Sequence, residues 1–278
     1  MKTKLILLFL TAALLFISAI ESRAADFRHK SDWSRFVNSF ASENLTTDIK
    51  DAGDFKVGFA PEKGKKVKKL DAGMRKSLQG LADELNGTFA LPADVHLTAD
   101  ECGEPNAFYE SDKRQLTMCY ELYAEFDELF KTEFPKESDR DEAAGGAFVF
   151  VFFHELGHAL IDVYELPITG KEEDAVDQLS TWILTDGTDS GELTAISGAM
   201  AFALLGDANK DLPFWDEHSL SQQRFYNTIC LIYGNNPGKY ADFVSNGTLP
   251  KNRAGRCENE YAQINRAWSK LLAPFVKK

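Results

Sequence analysis

Residues 148–162, FVFVFFHELGHALID, decide how the rest of this chain is interpreted. The first six are apolar, and by themselves they fit a buried strand as well as a buried helix. The two histidines resolve the ambiguity, because residues four positions apart lie on one face of a helix. His154 and His158 can then each direct an imidazole nitrogen at one ion, so the stretch predicts a metal-binding helix.

Glu155 follows the first histidine and completes an H-E-x-x-H pattern. On a helix it is offset by about 100° from its neighbour and reaches past the metal towards a bound water. Zinc lowers the pKa of that water towards about 7, so a carboxylate beside it can take the proton and pass it to a leaving amine. We therefore predict Glu155 as a general base and acid.

A catalytic zinc takes three protein ligands and keeps one position open, so a third ligand is needed. A histidine six residues after the second one would complete one known arrangement, but Tyr164 stands there. Residues 170–177, GKEEDAVD, open the next predicted helix and offer Glu173 as the ligand, with Glu172 as the alternative. Asp177, one turn further on, is expected to accept a hydrogen bond from a ligand histidine and fix its tautomer. Acidic residues also suit an ordinary helix N-terminus.

The N-terminus has the pattern of a signal peptide. Lys2 and Lys4 precede the apolar run 5–20, and Ser22-Arg23-Ala24 is a small-x-small cleavage site. We predict cleavage after residue 24 and an exported protein, either periplasmic or secreted. The formal net charge of −12 argues against nucleic acid and against an anionic membrane surface as partners. After cleavage we expect a monomer without a membrane anchor.

Four cysteines form an even set in this chain. In an exported protein the default interpretation is disulfide bonding, and no C-x-x-C pair supports a zinc ribbon. Their clustering favours the pairs Cys102–Cys119 and Cys230–Cys257, each contributing about 3 kcal/mol.

The remaining chain divides into three stretches. Residues 25–54 form a polar lead-in. Residues 55–120 are sheet-rich, with a predicted helix over 70–85. Strands are predicted over 55–59, 95–97, 107–109 and 115–120, the last two joined in a hairpin. Residues 121–278 read as helical, over 121–132, 141–164, 171–185, 191–205, 220–233 and 259–272. The prediction is an α+β fold, in which a small antiparallel sheet with a hairpin is followed by a mainly helical part.

HELGHALID, followed by E-x-x-x-D, resembles the thermolysin-like gluzincins and the integral-membrane CAAX-type peptidases. The chain is more closely similar to a family of bacterial exported proteins described as metallopeptidases from their motif. The segments that carry this closer similarity are CGEPNAFY (102–109), LTMCYEL (116–122), FFHELGHALID (152–162), GKEEDAVDQL (170–179), DEHSLSQQRFYNTICLIYG (216–234) and RAGRCENEY (253–261). The resemblance implies a single zincin-like domain over residues 55–278, one Zn²⁺ per chain and a peptide or protein substrate.

The resemblance also implies roles for three further residues. Asp162 stands where thermolysin-like enzymes carry an acidic residue near the ligands. His218 is similar in position to the histidine or tyrosine with which gluzincins stabilise the oxyanion of the tetrahedral intermediate, with Arg224 nearby. The alternative is that His218 caps a helix and Arg224 makes a structural ion pair.

Two other choices stay open at this stage. The strand over 107–109 is either an edge that binds the substrate backbone or only part of the disulfide-linked hairpin. The whole site is either catalytic or the remnant of a zinc-stabilised binding or inhibitor module. In a third interpretation the motif is accidental and the protein is a disulfide-stabilised scaffold.

Overall fold

The computed structural model describes residues 49–60, 72–208 and 215–277. The predicted signal peptide, residues 1–24, and most of the polar lead-in lie outside these residues. Export and cleavage after residue 24 therefore stay predictions.

A four-stranded sheet lies at the N-terminal side of the described chain. Its strands are β1 (Phe55–Phe59), β2 (Val95–Asp100), β3 (Ala107–Glu110) and β4 (Gln115–Cys119). They are arranged in the order β1-β2-β4-β3, so β3 is an edge strand. All four predicted strands are present, and the predicted hairpin is formed by β3 and β4. The α+β fold is confirmed.

The expectation of an antiparallel sheet is wrong for two of the three strand pairs. β1 is parallel to β2, and β2 is parallel to β4. Helix α1 (Ala72–Thr88) lies between β1 and β2 in the chain and packs on β1, and a parallel pair requires a crossover connection of this kind. The hairpin then adds to the sheet through β4, and only its own two strands run antiparallel.

Seven further helices follow the sheet, and a short 3₁₀ turn (Ala273–Phe275) closes the described chain. They are α2 (Tyr120–Leu129), α3 (Glu137–Val163), α4 (Glu172–Leu184), α5 (Asp189–Ala208), α6 (Ser221–Asn235), α7 (Ala241–Ser245) and α8 (Lys251–Leu272). Helix α3 is the centre of this part, because it contacts α2, α4, α5 and the strands β3 and β4.

Helix α3 is long and apolar enough to cross a membrane by length and composition, but 89% of its most apolar window is buried inside the protein. This is the burial expected of a core helix. Phe148 stacks edge-on against Tyr123 of α2, and Phe150 packs in the same way against Phe202 of α5. The apolar half of residues 148–162 thus anchors the half that carries the histidines in the core.

Several helix ends differ from the sequence predictions, among them the following three. Helix α3 begins at Glu137, and no side chain caps it, so the predicted start at residue 141 is four residues late. Helix α1 continues to Thr88, because the Asn86 side chain hydrogen-bonds to the backbone of Phe55 and does not end the helix. Helix α8 begins directly after Pro250, eight residues before the predicted start, and Cys257 lies in this additional stretch.

Both disulfides form with the predicted pairing, with Cα–Cα distances of 5.5 Å and 5.1 Å. Cys102–Cys119 ties the segment before β3 to the end of β4. Cys230–Cys257 joins α6 to α8.

Candidate metal centre

Helices α3 and α4 bring the predicted ligands together. His154, Glu155 and His158 lie on α3, and α4 begins at Glu172 after a short connection. The helices approach closely at Gly157, where an added Cβ atom would lie 2.7 Å from Cγ1 of Val176 on α4. Without a side chain at this position, the first turn of α4 can lie against the two histidines.

The carboxylate of Glu173 is the point at which the site converges. Its Oε2 lies 3.1 Å from Nε2 of His154 and 3.0 Å from Nε2 of His218, and its Oε1 lies 3.3 Å from Nε2 of His158. His154, Glu173 and His218 each offer a ligand atom within 4.8 Å of the other two. Three imidazoles, two from α3 and one from the segment before α6, therefore face one carboxylate.

Oε2 of Glu173 is also an orphaned buried atom. It is within ion-pair distance of two imidazole nitrogens, yet within the described part of the chain it has no partner in hydrogen-bond geometry. A buried acceptor without a partner costs about 1–3 kcal/mol, and a cation between the carboxylate and the imidazoles would remove this cost. Imidazole nitrogens and a carboxylate oxygen are a donor set that zinc binds, so the residues fit the expected metal.

The far side of His154 is held by Asp177. Its Oδ1 accepts from Nδ1 of His154 at 2.8 Å, and Arg224 donates to Oδ1 and Oδ2 of the same carboxylate at 2.7 Å each. The guanidinium in turn lies 4.0 Å above the ring of Phe202. Burial alone would raise the pKa of Asp177, but the charge of Arg224 and the hydrogen bonds from both partners lower it to about 2. The carboxylate is therefore an anion that directs Nε2 of His154 to the centre.

Glu172 occupies the equivalent place behind His158, with 2.7 Å between its Oε1 and Nδ1 of the imidazole. It is thus on the opposite side of the ring from Glu173. Of the two glutamates considered as third ligand, only Glu173 lies among the Nε2 atoms.

His218 lies in the segment between α5 and α6, and Asp216 holds it. Oδ1 of Asp216 accepts from the backbone nitrogen of His218 at 2.8 Å and lies 3.2 Å from its Nδ1. The N-cap of α6 is Leu220, so His218 is not the residue that caps this helix. Ser219 donates to Asp174 of α4 at 2.6 Å, which anchors the segment beside the metal helices.

The electrostatics of the centre favour a cation. Burial opposes a charge on His154, yet the hydrogen bond to Asp177 and the nearby carboxylate of Glu173 outweigh it and raise the pKa of His154 to about 9. Burial would likewise raise the pKa of Glu173, but the three imidazoles that face its carboxylate hold it well below its ordinary value. The carboxylates thus stabilise positive charge at the imidazoles, whether it is carried by protons or by a metal ion.

Glu155 is buried beside this cluster. Burial raises the pKa of Glu155, and the neighbouring histidines oppose that effect. A raised pKa makes the carboxylate a stronger base, which favours its acceptance of a proton in general acid–base catalysis.

Asp162 lies in the wall of the same cleft as the histidines. Its Oδ2 accepts a hydrogen bond from the hydroxyl of Tyr109 on β3 at 2.7 Å. Asp162 therefore ties the edge strand to α3. Burial raises the pKa of Tyr109, and the carboxylate adds to the effect, so the phenol keeps its proton.

Two cavities meet at Glu155. A polar cleft of about 660 Å³ is bordered by residues 106–109 on one side and by the three histidines and Glu173 on the other. A smaller cavity of about 180 Å³ extends from His154 and Glu155 between α2, α3 and α5, and its walls are mostly apolar. The edge strand β3 therefore lies along the cleft and also belongs to the hairpin.

Sequence reasoning missed the roles of Asp216 and Tyr109, and it left Glu172 as a rival ligand. Asp216 is two residues before His218, and this short spacing could have suggested the pair. Tyr109 is 53 residues from Asp162, and no local pattern connects them.

The protein has an α+β fold. Histidines and carboxylates from two adjoining helices form a candidate metal centre beside the sheet edge and next to a cleft. Residues 59–272 match the family DUF4344, whose description reads "Putative metallopeptidase", and the chain belongs to this family. No curated protein and no solved structure matches the chain.

Proposed function

We propose that the protein is an exported zinc metallopeptidase of the gluzincin type. The observation that carries the proposal is the convergence of histidine Nε2 atoms on the orphaned carboxylate of Glu173, with the buried carboxyl group of Glu155 beside them. His154, His158 and Glu173 would hold one zinc ion per chain. The two disulfides are typical of proteins in oxidising compartments, which supports export to the periplasm or the medium.

Zinc, when bound, supplies a water of lowered pKa and polarises the carbonyl that is attacked. The carboxylate of Glu155 would serve as the proton acceptor in this site and would return the proton to the leaving amine. Asp177 fixes His154 as the Nδ1–H tautomer, and Arg224 keeps the Asp177 carboxylate in place. Glu172 acts on His158 in the same way.

The substrate is proposed to bind along β3. The outer edge of this strand borders the cleft, and an extended peptide can add to an exposed edge through main-chain hydrogen bonds. Asp162 and Tyr109 hold the strand at a constant distance from α3. A peptide or protein is thus the substrate class that the cleft suits best.

The first test is the Glu155→Gln variant. Because the amide cannot take the proton, hydrolysis of a proteome-derived peptide library should fall about 10²–10⁴-fold, while zinc content stays near one per chain. Glu258→Gln, at an exposed position of α8, is the matched control and should behave as the wild type.

Equal hydrolysis by Glu155→Gln and the wild type would refute the mechanism. A wild-type protein that binds zinc but cleaves no peptide would favour the zinc-stabilised binding or inhibitor module. The buried Glu155 beside both cavities argues against that alternative, because a structural zinc site has no use for this carboxyl group.

A further inference from the structure

We propose that His218 is a fourth protein ligand of the metal in the substrate-free protein, an inference that rests on the proposed zinc site of His154, His158 and Glu173. The resemblance to gluzincins implied only that His218 stabilises the oxyanion. The geometry points to direct ligation.

The imidazole of His218 lies at the spacing of a metal ligand. Nε2 of His218 and Nε2 of His154 lie 3.0 and 3.1 Å from the same oxygen of Glu173. The rings of the two histidines are nearly parallel, at an interplanar angle of 18°, with centroids 6.2 Å apart. Donors about 2.0–2.2 Å from a tetrahedral zinc ion stand roughly 3.3–3.6 Å apart, so these atoms are already close to the spacing of ligands around one ion.

A carboxylate also lies behind the ring of His218. A metal-bound histidine almost always donates its other N–H to a carboxylate, a backbone carbonyl or water. Asp216 faces Nδ1 of His218 as Asp177 and Glu172 face those of the other two histidines. All three imidazoles therefore have the same arrangement, with a carboxylate on Nδ1 and Glu173 on Nε2.

Four protein ligands would close a tetrahedral site, whereas catalysis needs an open position. His218 is the ligand that can leave. Its side chain is 42% exposed and lies in a non-helical segment, while those of His154 and His158 are 5% and 17% exposed and lie on a core helix. When a peptide carbonyl enters the cleft, His218 moves aside and donates to the developing oxyanion. His218 thus occupies the fourth ligand position in the substrate-free protein and stabilises the oxyanion during the reaction.

The test measures metal binding by the full mature chain. We expect His218→Ala to bind zinc at least tenfold more weakly than the wild type in competition with a chromophoric chelator. We also expect a changed visible absorption spectrum of the Co²⁺-substituted protein, because a nitrogen ligand is lost. Asp216→Asn, which keeps the imidazole, should weaken zinc binding about tenfold, as other residues that orient ligands do.

His96→Ala is the matched control, because His96 is exposed on β2 and outside the centre. Circular dichroism of each variant verifies the fold. If His218→Ala binds zinc as tightly as the wild type and its Co²⁺ spectrum is unchanged, the ligand role is wrong, even where hydrolysis falls.

The failure of the proposed function is distinguishable from this result. A wild type that binds no zinc, or an active Glu155→Gln, refutes the zinc peptidase. The ligand role of His218 can be refuted while the wild type still binds zinc and hydrolyses peptides.

Discussion

At the scale of single residues, the candidate metal centre depends on charged groups and on one glycine. Three imidazoles face Glu173, and a different carboxylate lies at the Nδ1 atom of each ring. Gly157 makes this possible, because α4 could not approach α3 with a larger residue there. Ligand chemistry and helix packing therefore constrain the same short stretch of chain.

Gly157→Ala tests this packing. The new Cβ atom would lie 2.7 Å from Cγ1 and 2.8 Å from Cβ of Val176, a fully buried residue that cannot move away. Alanine favours a helix by about 1 kcal/mol, but overpacking costs about 1–3 kcal/mol. We expect a net loss of up to about 2 kcal/mol in the free energy of unfolding, measured in urea, together with weaker zinc binding.

Gly80→Ala is the control for that variant. Gly80 lies inside helix α1, and an added Cβ there meets no atom within 4 Å. This substitution should stabilise the protein by about 0.5–1 kcal/mol. If the two variants gained equal stability, close packing at Gly157 would not be required.

At the scale of elements, two helices and an edge strand form the site, and a disulfide supports the strand. Cys102–Cys119 links the segment before β3 to the end of β4, and Glu121 accepts hydrogen bonds from the backbone nitrogens of Cys102 and Gly103. The hairpin is thereby attached to the start of α2. The second disulfide, Cys230–Cys257, lies between α6 and α8.

Replacing each disulfide with alanines separates stability from substrate binding. The loops close over 17 and 27 residues, so either double variant should lose about 3 kcal/mol in the free energy of unfolding. The Cys102→Ala/Cys119→Ala protein should also show a higher KM for peptides, because its edge strand is less well held. The Cys230→Ala/Cys257→Ala protein should keep the KM of the wild type. Equal KM values in both variants would contradict a role of β3 in substrate binding.

At the scale of the whole molecule, a bound metal would connect segments that are far apart in the sequence. Helices α3 and α4 and the segment before α6 each contribute a histidine or carboxylate to the centre. Burial of these charged groups is unfavourable in free energy. A bound cation would offset this cost, because its charge is opposite to that of the carboxylates. Metal binding should therefore contribute to the stability of the fold as well as to its chemistry.

Removal of zinc by a strong chelator should lower the melting temperature. Free zinc at 100 times the dissociation constant stabilises a protein by about 2.7 kcal/mol, which for a chain of this size is about 5–10 °C. Thermal unfolding with and without chelator measures the difference, and added zinc should restore it. The His154→Ala protein should show little response to chelator. An unchanged melting temperature of the wild type would favour the disulfide-stabilised scaffold.

Much of the fold was predictable from local patterns. The HELGH helix followed from the spacing of two histidines, the α+β organisation from the order of apolar periodicities, and the disulfides from cysteine clustering. The direction of the strands was not predictable, because sequence periodicity shows which residues form a strand but not which strand lies next to it. The helix starts at residues 137 and 251 were missed because neither is marked by a side-chain cap, which is the local signal by which a helix start is recognised in a sequence.

By itself, the sequence determined which side chains of α3 share one face, because helical geometry depends only on residue spacing. It also placed Glu173 and Asp177 one turn apart on the following helix. Only the tertiary structure decided that Glu172 lies behind His158, that Asp162 binds Tyr109, and that His218 faces the same carboxylate as His154. These groups are distant in the chain, and their distances in space depend on how whole helices pack, to which local propensities contribute little.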